Sequence, residues 1–255
     1  MKKNKTFLYN YLNAFAPVAQ ETEGQAIWKA YIRPYVNDLH EDAYGTAYGI
    51  LKYNSKSGDA IKAYTHKVVI EAHCDEIAWI ITNIEDSGMI RVKRHGGSDN
   101  MIAPSKTVMI HTHSGKKVRG LFSWPALNTR SKYTDMGYDQ HELWVDCGLK
   151  DKKAVEKAGV EVGCLITFDT QLEEIGDYYV GRSLDNKIGG YIIAEALRKI
   201  QEEGEDLPYD LYVVTRVEGE VVLHGAKKIA KHLQAERELV HDVRQKKNTQ
   251  HIDKT

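Results

Sequence analysis

The stretch KVVIEAHCDE, residues 67–76, constrains the fold of this 255-residue chain most strongly. Residues 68–70 are all β-branched, which predicts a short strand buried on both faces. His73 and Asp75 follow two residues apart, so both side chains are expected on one side of the chain, just past the strand. Open α/β sheets bind ligands at such carboxyl ends. An imidazole with a neighbouring carboxylate can bind a metal, although an isolated H-x-D also fits an ordinary turn.

Acidic residues also follow other apolar segments. Residues 211–215 predict a strand that runs into Arg216-Val217-Glu218-Gly219-Glu220, and Asp242 comes at the end of another apolar segment. Asp185 opens a predicted helix, where an aspartate would also serve as an N-cap. Together with His73, these carboxylates suit a centre of two divalent ions, which needs a bridging carboxylate, terminal ligands and a free carboxylate.

The pattern of predicted elements changes between residues 81 and 171. Within this region, short strand-like segments are separated by turn residues, which indicates a small all-β module. On either side, apolar strands alternate with helical patterns such as the one over residues 186–202. We therefore expect an α/β domain made of residues 1–80 and 172–255, interrupted by a β insertion at residues 81–171.

Composition argues against several classes of partner. Lysine plus arginine number 35 and aspartate plus glutamate 36, so neither nucleic acid nor an acidic membrane is expected as a partner. The three cysteines form no C-x-x-C pattern, which favours a reducing cytoplasm over a disulfide framework. The basic N-terminus precedes an amphipathic helical pattern, so no signal peptide is expected.

The separated motifs also resemble a known family. A-H-x-D-E at residues 72–76, G-R-x-L-D-N-K-x-G-G at 181–190, T-R-x-E from 215 and H-D-V at 241–243 resemble, in this order, the M42 metallo-aminopeptidases. Relatives in that family include glutamyl aminopeptidases that build large hollow assemblies. The resemblance, over about residues 6–242, implies a zinc-peptidase-like domain with a mixed sheet flanked by helices. It also implies a β-barrel-like insertion used in homo-oligomers, short peptides as substrates and two divalent ions, zinc or cobalt.

The resemblance implies a role for each site residue. His73 and Asp242 would each be a terminal ligand of one metal ion, and Asp185 would bridge both ions. Glu220 would hold the second ion. Asp75 would belong to the catalytic machinery by orienting His73 from behind.

One departure concerns the general base. Relatives carry two adjacent glutamates, the base and then a ligand, whereas this chain has Glu218-Gly219-Glu220. Counting back from residues 223–226 puts Gly219 in the base position, and counting forward from residues 215–216 puts Glu218 there. We choose Glu218 as the candidate base. In an extended backbone, Glu218 and Glu220 would point the same way, so both could face the metals, whereas adjacent residues would not, and the local geometry must differ from that of the relatives.

A second departure concerns length. Family members run on for about 100 further residues, the scale of a small domain, and that part supplies the final histidine ligand. We therefore expect a C-terminally truncated member whose second metal site lacks one ligand. His241 and His251 are possible surrogate ligands, although surface or packing roles are expected for both. The alternatives are an impaired or inactive relative that acts only through protein contacts, and a glycosidase, which needs two carboxylates but no His73.

Overall fold

The computed structural model describes residues 3–53, 66–124, 143–220, 233 and 237–243 of the chain. The chain divides into two compact units, one made of Met1–Asp75 with Ser183–Thr255 and the other of Glu76–Arg182. The second unit is thus wider at both ends than the predicted insertion at residues 81–171. Among the described helices, none is both long and apolar enough to cross a membrane.

The helices and strands are numbered in chain order. They are α1 (Lys3–Asn13), α2 (Thr22–Ile32), β1 (Asp38–Glu41), β2 (Ala47–Leu51), β3 (Lys67–His73), β4 (Ala78–Ile84), β5 (Ile90–His95), β6 (Thr107–His111), β7 (Lys117–Ser123), β8 (Trp144–Asp146), α3 (Lys152–Lys157), β9 (Leu165–Phe168), β10 (Glu173–Ile175), β11 (Tyr178–Val180), α4 (Leu184–Glu203), β12 (Asp210–Arg216) and β13 (Arg237–Val240).

The first unit contains a five-stranded mixed sheet in the order β1-β2-β12-β3-β13. Strands β12 and β13 both run parallel to β3, and β2 runs antiparallel to β12. The register pairs Arg216 with His73 and Val240 with Glu71, so the three parallel strands end along one edge. The predicted mixed sheet is confirmed. The sequence also predicts a helix over residues 225–233, which lies, apart from residue 233, outside the described residues.

Helix α4 packs closely against β3 and against the N-terminal helices. A Cβ atom built on Gly189 would lie 3.0 Å from the Cβ of Ala72 on β3, closer than most real Cβ contacts, so a larger residue there would push the helix and the strand apart. The indole Nε1 of Trp28 on α2 donates a hydrogen bond of 3.0 Å to the carbonyl oxygen of Gly190. This packing holds the first turn of α4 beside the carboxyl end of β3.

The second unit contains a closed antiparallel barrel in the order β4-β5-β8-β7-β6-β9, which confirms the predicted β-barrel-like insertion. Strands β10 and β11 form a separate two-stranded hairpin. Trp79 lies fully buried in the barrel core, and its Nε1 donates to the Oδ1 of Asn100 at 3.0 Å. Its ring meets those of Phe122 and Phe168 edge-on, with centroids 4.8 and 4.9 Å away. The barrel is therefore closed around an aromatic centre whose polar atom is paired.

Replacing Trp79 with alanine should destabilise the barrel strongly, because the large cavity left behind cannot be refilled. We expect the free energy of unfolding to fall by about 3–5 kcal/mol, measured by denaturant unfolding followed by circular dichroism. Leu121→Ala on β7 is the control, since Leu121 is 42% exposed, and should change stability by about 0.5 kcal/mol or less. Equal losses in the two variants would contradict the central role of Trp79.

Candidate metal centre

Three of the four predicted metal ligands converge at the carboxyl edge of the sheet. His73 is the last residue of β3, Asp185 lies in the first turn of α4, and Glu220 follows β12 by four residues. One potential ligand atom from each residue lies within 4.8 Å of those from the other two. Within the described parts of the chain, this group of one nitrogen and two carboxylate donors matches what zinc and similar dications bind.

The imidazole of His73 is bracketed by two carboxylates. Its Nδ1 lies 3.2 Å from the Oδ1 of Asp75, and its Nε2 lies 3.3 Å from the Oδ1 of Asp185. The side chain of Asp75 is fully buried, whereas that of Asp185 is 56% exposed. A carboxylate on one ring nitrogen that leaves the other directed at the metal position is the usual support for a metal-binding histidine. This is the geometry that the predicted role of Asp75 requires.

Asp75 also ties the end of β3 to the segment that follows β12. Its Oδ1 accepts the backbone N–H of Gly219 at 2.7 Å, and its Oδ2 accepts that of Glu220 at 2.8 Å. Burial would raise the pKa of Asp75, but the interaction with His73 and these two N–H groups hold it below its usual value. Asp75 therefore stays ionised while it positions both His73 and Glu220.

Gly219 has no room for a side chain. A Cβ built there would lie 2.4 Å from both the Cβ and the Cγ of His73. A glutamate could therefore not occupy position 219 with His73 where it is. The interruption of the glutamate pair in the sequence corresponds to this close contact.

Glu218 lies outside the group formed by His73, Asp185 and Glu220. Its backbone has φ of 58°, and its N–H donates to the Oε1 of Glu21 at 3.2 Å. The side chain is partly buried and borders a cavity of about 260 Å³ that Glu21 also lines. The chain turns at Glu218, so the backbone from 218 to 220 is not extended. The role of Glu218 as general base stays a prediction.

Asp242 and His241 follow β13 and also lie outside the three-residue group. Asp242 is exposed, yet its charge contributes to the raised pKa of Glu220, so it lies in the neighbourhood of the centre. The Nδ1 of His241 lies 2.8 Å from the Cβ position of Gly189, which places its ring against α4. His241 therefore packs against the helix and does not join the donor group.

Two contacts that support the centre were not predicted from the sequence. The Nδ2 of Asn186, the residue after Asp185, donates to the carbonyl oxygen of His241 at 2.6 Å. The buried guanidinium of Arg216 lies 3.2 Å, Nε to Oε1, from the buried carboxylate of Glu71. Each joins residues more than 50 positions apart, so only their place beside a predicted ligand or strand end could have pointed to them.

The charges of the centre shift the pKa values of two donors. Burial would lower the pKa of His73, but Asp185 and Asp75 outweigh it and raise the value to about 9. Burial raises the pKa of Glu220 to about 7, and the negative charges of Asp75, Asp185 and Asp242 act in the same direction. A bound cation would offset the repulsion among these carboxylates and would favour the ionised form of Glu220. The donor set therefore fits a divalent metal.

Comparison with known proteins agrees with this fold and site. The sequence model of the M42 glutamyl aminopeptidase family matches residues 56–255. FrvX of Escherichia coli (strain K12), a provisionally named aminopeptidase, is 30% identical over 243 residues, which cover 94% of this chain and 64% of FrvX.

Two solved structures share the fold. The TET aminopeptidase of the marine sediment archaeon Thaumarchaeota archaeon SCGC AB-539-E09 superposes with a TM-score of 0.88 at 23% identity, covering 98% of this chain and 68% of that one. The TET1 peptidase of Pyrococcus horikoshii gives a TM-score of 0.78 at 21% identity, covering 94% and 68%.

The fold is thus that of the solved TET peptidases. The chain belongs to the M42 glutamyl aminopeptidase family, because the family model matches 200 of its 255 residues. It spans less than two thirds of the length of FrvX.

Metal affinity should rise with pH, because a bound ion must displace protons from the metal-free centre. Below pH 7 both Glu220 and His73 carry a proton, and between pH 7 and 9 only His73 does. The affinity for Zn²⁺ should therefore increase by up to about 100-fold per pH unit below pH 7 and by about 10-fold per unit above it. Competition with a chelator between pH 5.5 and 8 measures this.

The matched control for the pH series is Glu220→Gln, which removes one of the two titrating groups. Its affinity should be lower and should change by only about 10-fold per pH unit throughout the range. An affinity that is flat with pH in the unchanged chain would contradict the assignment of both residues as ligands.

Proposed function

We propose that the protein is a metal-dependent aminopeptidase that removes N-terminal residues from short peptides. The observation that carries the proposal is the convergence of His73, Asp185 and Glu220 within 4.8 Å at the sheet edge of an M42 family chain. This chain covers only 64% of the length of FrvX, so its activity is proposed from its own residues and not from that relative.

The proposed assignment of the metals is the one that the M42 family resemblance implies. His73 and Asp242 would hold one divalent ion, Glu220 would hold a second, and Asp185, with two carboxylate oxygens, would bridge them. Zinc or cobalt bound there would polarise the scissile carbonyl and acidify water at neutral pH. Asp75 keeps the imidazole of His73 oriented, since it contacts the ring nitrogen on the side away from Asp185.

Carboxylates of this chain would carry out the proton transfer and bind the α-amine of the substrate. In the proposal, Glu218 accepts a proton from the attacking water and delivers it to the leaving amine. The cavity beside Glu218 is also lined by Glu21, whose negative charge suits the free α-amine of a peptide, and by Glu41, whose charge is paired with Lys29. An α-amine held there would select the end of a chain over its middle.

We also propose that the protein assembles as a homo-oligomer through its barrel unit. The β10–β11 hairpin of that unit exposes apolar and aromatic side chains, among them Ile175 at 56% and Tyr178 at 75%. The P. horikoshii TET1 peptidase can assemble into a tetrahedron or a large octahedral shell. The three unpaired cysteines fit a reducing cytoplasm as the place of this assembly.

The decisive test combines metal content with peptidase activity. After equilibration with zinc or cobalt, elemental analysis of the folded chain should find bound metal, with two ions per chain if a surrogate ligand completes the second site. The loaded protein should cleave aminoacyl chromogenic substrates. His73→Ala should lose metal and activity, because it removes a ligand, while His113→Ala should keep both, since His113 is an exposed barrel residue. Finding neither metal nor cleavage, under conditions where a full-length relative works, would contradict the proposal. Hydrolysis of a chromogenic glycoside that survives His73→Ala would favour a glycosidase instead.

The base assignment has its own test. Glu218→Gln should reduce kcat by about 10²–10⁴-fold, because the proton acceptor is lost, while the metal content should stay unchanged. Glu41→Gln, at another position on the same cavity, is the matched control and should affect kcat little. Full activity in the Glu218 variant would assign the proton transfer to another group.

A further inference from the structure

A buried ion pair joins the two ends of the barrel-containing unit. The Nη1 of Arg182, the last residue of that unit, contacts the Oε2 of Glu76, the first. Their side chains are 8% and 2% exposed. Taking two charges out of water costs free energy that mutual attraction often fails to recover. A buried pair at this place therefore calls for a role other than simple stabilisation.

Each member of the pair lies three positions along the sequence from a predicted metal ligand. Glu76 comes three residues after His73, and Arg182 comes three residues before Asp185. A three-residue segment spans at most about 10 Å even when fully extended. Holding Glu76 against Arg182 therefore limits how far the chain can carry His73 away from Asp185, whose facing atoms lie 3.3 Å apart.

A histidine of the barrel is an ionisable neighbour of this contact. His111 on β6 is close enough for both charges to act on it, but burial first, and then Lys117 and Arg182, lower its pKa to about 4. At neutral pH its ring is uncharged, with its Nε2 3.1 Å from the Oγ1 of Thr167. His111 therefore does not compete as a cation for Glu76.

We propose that Arg182 and Glu76 are positioning residues for the metal centre and that they set the spacing between His73 and Asp185. Neither is a member of the three-residue donor group, so both act through the short backbone segments that connect them to the ligands. The inference rests on the proposed function, because it requires that the centre binds a metal ion. It goes beyond that function by assigning a role to residues outside the donor set.

The test measures Co²⁺ affinity of the full chain by competition with a chromophoric chelator, and the visible absorption of bound Co²⁺, which reports ligand geometry. Arg182→Gln should weaken Co²⁺ binding by about 10–100-fold, as expected for a residue that supports ligands from outside, and should change the absorption band. Arg182→Lys keeps the charge and should retain more of the affinity. Glu76→Gln should resemble Arg182→Gln.

The matched control is Arg198→Gln. It removes an ion pair with Glu195 on the same helix that begins beside Asp185, but 13 residues further along. It should lower the unfolding temperature without weakening Co²⁺ binding. A purely structural pair would behave in the same way, so affinity and the absorption band separate the two roles.

The outcomes are distinct. Failure of the unchanged chain to bind Co²⁺ would overturn the proposed function and this inference together. Normal Co²⁺ binding and an unchanged band in folded Arg182→Gln would overturn only the positioning role. If Arg182→Gln does not fold, Arg182→Lys and Glu76→Gln decide the question at a temperature where circular dichroism shows them native. Affinity equal to that of Arg198→Gln would then reject the role.

Discussion

The candidate centre depends on the carboxylate of Asp75. It is fully buried, and an ionised group in that position requires hydrogen bonds or opposite charge on its oxygens. The structure supplies these from the imidazole of His73 and from the backbone N–H groups of Gly219 and Glu220. Because the same carboxylate meets both segments, the place of Glu220 relative to His73 follows from satisfying Asp75. Gly219 completes the arrangement, since any side chain there would displace the imidazole.

The electrostatics of the centre follow from the elements that carry its residues. Strand β3, the turn after β12 and the start of α4 bring carboxylates together that would repel one another if all were ionised. Their positions are set by sheet register and helix packing, so the chain cannot relieve the repulsion by moving them apart. A raised pKa at Glu220 is the response available without a cation. The fold thus holds the donors in place at a cost in electrostatic energy that a dication would offset.

Much of the architecture could be predicted from local sequence. The β-branched run at residues 68–70 and the apolar run at 211–215 predicted β3 and β12, and the change in pattern after residue 81 predicted an all-β insertion. The presence of His73, Asp185 and Glu220 near one another followed from their places beside strand and helix ends. These features depend on neighbours in the chain and on general rules of sheet topology.

Other features could not be predicted, because they depend on residues far apart in sequence. The turn at Glu218 is linked by a hydrogen bond to Glu21, almost 200 residues earlier. Asn186 donates a hydrogen bond to the carbonyl oxygen of His241, and Arg182 forms an ion pair with Glu76, which lies 106 positions earlier in the sequence. No local pattern contains such contacts. The steric demand at Gly219 likewise becomes visible only once His73 lies beside it.

The closure of the barrel has a consequence for how this architecture can diverge. Every strand of the closed barrel is paired on both sides, so no barrel strand has a free edge that could pair with a strand of the five-stranded sheet. The chain enters the barrel-containing unit at Glu76 and leaves it at Arg182, and these two residues are in contact. Changes within the barrel therefore need not alter the strand pairing that sets the register of the strand ends that carry the carboxylates.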